Sequence, residues 1–488
     1  MDMSKFKGLE SEKVFEFFKE INQIPRTSKN EKAISDHLKK WAEDRNLEVI
    51  QDEENNIIIK KAGQGKLATA QPVILQGHID MVGEAGKNSK HDFMKDPIEM
   101  IIKGDDIYAN DTTLGADDGI GVAYSMALLD DLKSDLPPLE VIITTDEETG
   151  MTGAHHIDVS SLKSKIFINI DCEEEGVFYM SCAGGNNTNI NIPVVYEDVE
   201  GLCVEVEVTG GLGGHSGLEI HKDRANSNKV MGRFLNLLAE AKIAFQIIEA
   251  NGGSKVNAIT RDTLAKIVIA NEDLEKITKI CTKLNEELKE EYTPQDSDVH
   301  VVFLNTAKGS FKAMTREDSL RVVYALVLTP NGPQTYSKYI ENLVQTSTNP
   351  GVLETKENIV TIGSACRSSV VSQKQALVEE FNVIGKVVGA EVVSGSFYPA
   401  WPFNPNSKIK DLFVKKYEGL FDKEPVVSAI HAGLECGLFK EKMAADVEFI
   451  SFGPTINGAH TAQEHMNIAS ADNNYRLLKA VLQDIAEY

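Results

Sequence analysis

Five apolar, strand-like runs of this chain each lead directly to a carboxylate or an imidazole: His78 and Asp80, Asp117, Glu147 and Glu148, Asp171, and His460. In an open α/β sheet the carboxyl ends of adjacent parallel strands open onto one crevice, so groups remote in sequence converge there. Two neutral imidazoles and several carboxylates make a mixed nitrogen and oxygen donor set that suits zinc, with manganese or cobalt as substitutes. A thiolate-rich set would instead mark structural zinc, and the six cysteines form no such knuckle. The pattern predicts the layout of a metal hydrolase.

The texture of the chain divides it. Apolar residues recur at helical spacing from Val14 to Ile21, Pro25 breaks the run, and a second amphipathic helix follows through Ile34, Leu38 and Trp41. From Asn55 onward the runs IIIKK, PVILQG, LEVIITT and KIFINI read as strands, with a helix from about Gly119 to Asp131 between them. This alternation predicts an α/β fold, a mostly parallel sheet with helices on both faces. Beyond Gly185 the run LCVEVEVTG alternates apolar with polar, as a half-exposed antiparallel strand does. Strands and amphipathic helices then alternate as α+β layers up to the proline-rich YPAWPFNP, after which VEFISFG and a terminal helix return to the first texture. The expected organisation is therefore a catalytic domain of residues 1–186 and 399–488, interrupted by an inserted domain of residues 187–398.

Composition narrows the function classes. A formal charge of −24 over 488 residues provides no basic field to release phosphate counterions, which argues against nucleic-acid binding. The six cysteines are widely spaced, consistent with reduced thiols and a cytoplasmic location. No run has the length of a signal peptide or of a membrane span, so no membrane association is expected.

Each acidic or imidazole position has a plain alternative. His78 and Asp80, two apart at a strand end, share one face, so the imidazole can ligate while the carboxylate takes its second nitrogen; the alternative is a strand-end histidine satisfied by solvent beside an unrelated acid. Asp117 lies in a glycine-rich turn entering a helix, where Asp118 serves as a helix cap. Glu147 and Glu148 project differently from one loop, so one can bind metal and the other reach a water; paired glutamates on loops are usually solvated surface, but seldom after so apolar a strand. Asp171 repeats that geometry, and Glu173, Glu174 and Glu175 beyond it are expected to be exposed. His460 follows another buried strand, with His465 as its competitor. A helical H-E-x-x-H, a G-x-S-x-G elbow and a phosphate-binding loop are all absent.

Together GHIDMV, TTLGADDGIG, TTDEETGMTGA, INIDCEEEG, GGHSGLEIH, IHAGLECGLF and GPTINGAH resemble bacterial aminoacyl-histidine dipeptidases, also called cytosolic non-specific dipeptidases, over nearly the whole chain. These are part of a metallopeptidase family, including carnosinases and aminoacylases, whose zinc domain is interrupted by a lid. The resemblance implies two divalent cations, zinc foremost, bridged by Asp117, with His78 and Asp171 completing one site and Glu148 and His460 the other. It implies Glu147 as general base, Asp80 supporting His78, His215 steadying the developing oxyanion, and Asn257 and Arg367 binding substrate. Asn110-Asp111 and Gly77 depart from the family pattern without removing a ligand, and bear on substrate preference.

The expected activity is hydrolysis of dipeptides, including Xaa-His types, with small peptides as the partners and a homodimer through the lid as one assembly. The alternatives are a tripeptide aminopeptidase, an N-acyl amino acid deacylase, or a non-catalytic zinc-binding scaffold, which would have no use for a base at Glu147.

Overall fold

The computed structural model describes residues 2–485; residue 1 and residues 486–488, the outer ends of the expected catalytic segments, lie outside the described residues. The chain divides into two compact units. One holds the segments up to Ser181, Phe403–Ala429, and from Leu434 onward, and the other holds Cys182–Pro402 with the short return Ile430–Gly433.

The first unit is built on a sheet of eight strands: β1 (Glu48–Gln51), β2 (Ile57–Lys61), β3 (Val73–His78), β4 (Leu139–Thr144), β5 (Ile166–Asn169), β6 (Val177–Cys182), β7 (Val426–Ile430) and β8 (Glu448–Ser451). Their order across the sheet is β1-β2-β4-β3-β5-β8-β6-β7. The central four are mutually parallel, while β1, β2 and β6 join antiparallel at the flanks. All residues of β3, β4 and β5 are buried, as expected of parallel strands covered on both faces, and this is why they read as unbroken apolar runs.

Alternate residues of these strands enter different layers. Ile57, Ile59, Leu75, Val141, Ile143 and Ile168 join one core with Phe15, Phe18, Trp41, Met126, Phe413 and Leu478 from the covering helices. On the opposite face Phe167 lies 4.5 Å from Phe449 and 5.0 Å from Phe439 of the helix Glu435–Lys442. Burying each such aromatic stabilises the fold by roughly 1.5–3 kcal/mol. The expected α/β layering is borne out, with antiparallel strands added at the flanks.

The second unit is an antiparallel sheet of nine strands backed by helices. Tyr196–Thr209 pairs with both His300–Met314 and Thr263–Ile269, and Ile359–Ser368 pairs with both Val344–Lys356 and Gly184–Pro193. Ile190, Val204, Val206 and Ile267 pack against Phe234, Leu284, Val322 and Phe381 of four helices. The strand His300–Met314 forms one edge of the sheet, and its middle is exposed.

No helix among the described residues is long and apolar enough to cross a membrane. All six cysteines are buried thiols outside any disulfide.

Candidate metal centre

Register sets the site. His78 at the end of β3 is level with Thr144 at the end of β4, and Gln76 is level with Asn169 at the end of β5. The residues that follow, Asp80, Glu147 and Glu148, and Asp171, therefore leave the sheet side by side. Asp117 joins them from the helix Ala116–Asp130, whose first turn is irregular: Asp117 is extended, with φ −79° and ψ 112°, and the Asp117–Asp118 peptide is cis.

Asp117 holds the centre. Its Oδ1 lies 3.1 Å from Nε2 of His78, and its Oδ2 lies 3.1 Å from Nε2 of His460. The first imidazole also faces Asp171, Oδ1 at 3.7 Å, and the second faces Glu148, Oε1 at 3.0 Å. Each group thus sets one imidazole nitrogen and two carboxylate oxygens around a common point, and Asp117 belongs to both. Zinc bonds of about 2.0–2.1 Å in a tetrahedron put neighbouring ligand atoms about 3.3 Å apart. The observed spacings bracket that value, so the residues fit a pair of divalent cations. Glu148 Oε1 is buried and makes no aligned hydrogen bond, as suits an oxygen reserved for a cation.

Charge supports the same fit. Contact with Asp117 and Glu148 pushes the His460 imidazole up to about 11. Burial works against ionisation of Asp117, but its bonds from His460 and His78 prevail and hold it below the ordinary carboxylate range. The cluster therefore draws positive charge, as protons or as metal.

Glu147 begins a short helical turn, and its carboxyl is raised well above the usual value by burial and by the neighbouring acids Asp171, Glu435 and Glu148, against the opposing effect of His78. Asp80 supports this loop: its Oδ1 accepts the Glu147 amide at 3.1 Å, and its Oδ2 accepts the Glu148 amide at 3.3 Å and the Ser28 hydroxyl at 2.8 Å. His78 Nδ1 bonds the Asp80 carbonyl at 3.1 Å, with the carboxylate at 3.4 Å. Asp80 thus orients His78 through its backbone as much as its side chain, because its carboxylate is already shared among three other donors.

The sequence assigns no role to three further residues, although Glu435 lies within the motif IHAGLECGLF. Glu464 accepts the amides of Leu114, Gly115, Ala116 and Asp117 at 2.8–3.5 Å, fixing the turn that presents Asp117. Arg26 is fully buried and donates to the carbonyls of Ile79 and Gly115 at 2.7 and 2.6 Å, joining the two loops from below. Glu435 is fully buried and accepts from Gln76 and Thr144, both at 2.6 Å; burial pushes it up to about 7. Asp118 is more than a cap. It takes the Gly121 amide at 3.1 Å, as a cap would, and also the His78 amide at 3.2 Å. A Cβ on Gly77 would lie 2.1 Å from Asp118 Oδ2, so any side chain at that position would displace the Asp118 carboxylate. His465 stays out of the centre, stacked on Tyr108. Glu173 and Glu174 are exposed as expected, but Glu175 is half-buried and accepts from Asn473.

The remaining expected residues lie in the second unit. His215 Nδ1 accepts the amides of Gly217 and Leu218 at 3.2 and 3.0 Å, so the neutral ring carries its proton on Nε2. Burial and Arg367 hold its pKa below the ordinary value. Arg367 is buried and donates to the Tyr398 hydroxyl at 2.8 Å. Asn257 is exposed beside His215, its carbonyl accepting the Ser216 amide.

Comparison with known proteins agrees with this chemistry. The model of peptidase family M20/M25/M40 matches residues 74–484. The chain is 36% identical to the cytosol non-specific dipeptidase of Escherichia coli (strain K12), over 99% of each sequence. Among solved structures it is similar to the aminoacylhistidine dipeptidase from Vibrio alginolyticus, with a TM-score of 0.91, 34% identity, and 99% and 98% of the two chains covered. The aminopeptidase PepT from Bacillus cereus shares the fold at a TM-score of 0.56 and 14% identity, over 98% and 99% of the chains. The resemblance read from the motifs is borne out, and the chain belongs to peptidase family M20/M25/M40 as one of its metallopeptidases.

Proposed function

We propose that this chain is a dipeptidase that uses two divalent cations, zinc foremost, held by His78, Asp117 and Asp171 on one side and Asp117, Glu148 and His460 on the other. The observation that carries the reading is the division of the Asp117 carboxylate between two imidazoles, 3.1 Å to each. When bound, the cations polarise the scissile carbonyl and lower the pKa of a water toward about 7.

The chain's own residues do the rest. Glu147, its carboxyl raised by burial, takes the proton of the attacking water and delivers it to the leaving amine. Asp80 holds the Glu147 backbone and the His78 ring in place. In the second unit, His215 offers Nε2–H to the developing oxyanion, Arg367 binds the terminal carboxylate as a charged donor, and Asn257 contributes to substrate binding. Demand for a free carboxylate next to the scissile bond restricts the enzyme to short peptides. A cytoplasmic location fits six buried cysteines outside any disulfide. The exposed edge strand His300–Met314 supports homodimer formation through the second unit.

Glu147→Gln tests the assignment of the base. Metal content should persist while kcat falls roughly 100- to 10,000-fold, and unchanged turnover would reject the role. A panel of Xaa-His and other dipeptides, tripeptides and N-acetyl amino acids tests the substrate class; cleavage of tripeptides alone or acetylated substrates alone would overturn the dipeptidase reading.

A further inference from the structure

Beside Arg367 and His215, the second unit buries another imidazole, brought in by the return Ile430–Gly433. His431 is 7% exposed, and its Nε2 lies 2.7 Å from the Ser347 hydroxyl. Ser347 is in turn level with Arg367 on the neighbouring strand. Two of these side chains and the His431 main chain close around Gly217: a Cβ there would lie 2.6 Å from the His431 carbonyl oxygen, 3.0 Å from His215 Cε1 and 3.2 Å from Arg367 Cζ. Only a glycine lets the chain pass between them.

Two nitrogens of this cluster are buried without a hydrogen-bond partner among the described residues: Nδ1 of His431 and Nε of Arg367, the latter on a side chain 8% exposed. Buried polar nitrogens are ordinarily satisfied, so an unpartnered pair in one cluster points to a ligand that satisfies them. If the Ser347 hydroxyl donates to Nε2, the proton of the neutral ring resides on Nδ1, and both free nitrogens are donors. Burial, and then Arg367 and His215, keep His431 neutral, its pKa held at about 3, so it adds a donor without adding charge. A carboxylate is the group that a buried guanidinium N–H and a neutral imidazole N–H in one cluster would hold.

We propose that His431 is a substrate-binding residue that grips the terminal carboxylate together with Arg367, its Nδ1–H positioned by Ser347. The proposal deepens, and rests on, the peptidase reading above. It makes His431 a determinant of preference for a free carboxyl terminus.

The test compares kcat/KM for a dipeptide and for the same dipeptide with an amidated C-terminus, in wild type, His431→Gln and His431→Asn. Glutamine keeps the contact to Ser347 and removes the donor at Nδ1, whereas asparagine places an N–H close to the Nδ1 position. Losing a hydrogen bond to a charged group should cut the preference for acid over amide roughly 10- to 100-fold in His431→Gln, mainly through KM. His431→Asn should recover part of it. Thermal melting of both variants reports folding, and the ratio of two substrates on one sample cancels any loss of active protein. An unchanged acid-to-amide ratio in His431→Gln, or an equal loss on both substrates, would overturn the proposal. If wild type cleaves only N-acetyl amino acids, the dipeptidase reading fails, and the same comparison on their free and amidated forms decides the role of His431.

Discussion

Glu464 controls Asp117 through the backbone. Four consecutive amides converge on its carboxylate, so replacing it leaves a turn of unpaired donors directly under the bridging residue. Glu464→Ala should weaken cation binding about 10- to 100-fold, as loss of an outer-shell partner typically does; competition with a chelator would measure it, and an unchanged affinity would remove Glu464 from the site. His460 bears on pH. Its pKa is raised from 6.5 to about 11 in the metal-free chain, so its proton stabilises that form fully below about 6.5, and the contribution is lost as pH rises through about 11. A cation must displace this proton, and affinity should therefore rise with pH, about tenfold per unit for each proton released. Zinc titrations at pH 6 and pH 8 should show the tighter binding at pH 8. Residues that meet the centre through side chains at strand ends, such as His78, Asp171 and Glu148, are legible in the sequence. Glu464 and Arg26 are not, because their partners are main-chain atoms contributed by segments distant in sequence.

At the scale of elements, the parallel register of β3, β4 and β5 sets the spacing of the acids, and the glycines decide how closely the covering helix may approach. Gly77→Ala would drive a methyl group toward Asp118 Oδ2. It should destabilise the fold by about 1–3 kcal/mol, as overpacking of a core does, and urea unfolding of the metal-free protein would show it. A stability equal to wild type would mean that the helix start can shift freely. The central strands are legible because burial on both faces leaves a continuous apolar run. The antiparallel flanks are less so: β2, with IIIKK, has the same apolar texture as its parallel neighbours, and strand direction follows from connections rather than from composition. The irregular start of the helix at Asp117 and Asp118 is likewise hidden, since two acids before a helix also describe an ordinary cap.

For the molecule as a whole, the change from continuous to alternating apolar runs near Gly185 marks the passage into a different sheet, and the prolines of YPAWPFNP lie where the chain returns. The excursion of Ile430–Gly433 into the second unit is four residues long, too short for any periodicity to betray it. In the sequence His431 is therefore visible only as part of the motif IHAGLECGLF. The proposed homodimer predicts a mass of twice 53.6 kDa by light scattering, and charged substitutions at Leu304 and Phe311 on the edge strand should shift it to the monomer; a monomeric wild type would rule the assembly out.

The polypeptide passes between its two units four times, at Ser181, Pro402, Ala429 and Gly433. Neither unit is therefore a continuous stretch of gene. A single contiguous deletion that removes all of the second unit also takes Phe403–Ala429 of the first, and exchange of substrate preference between homologues by swapping Cys182–Pro402 alone would leave His431 behind with the recipient.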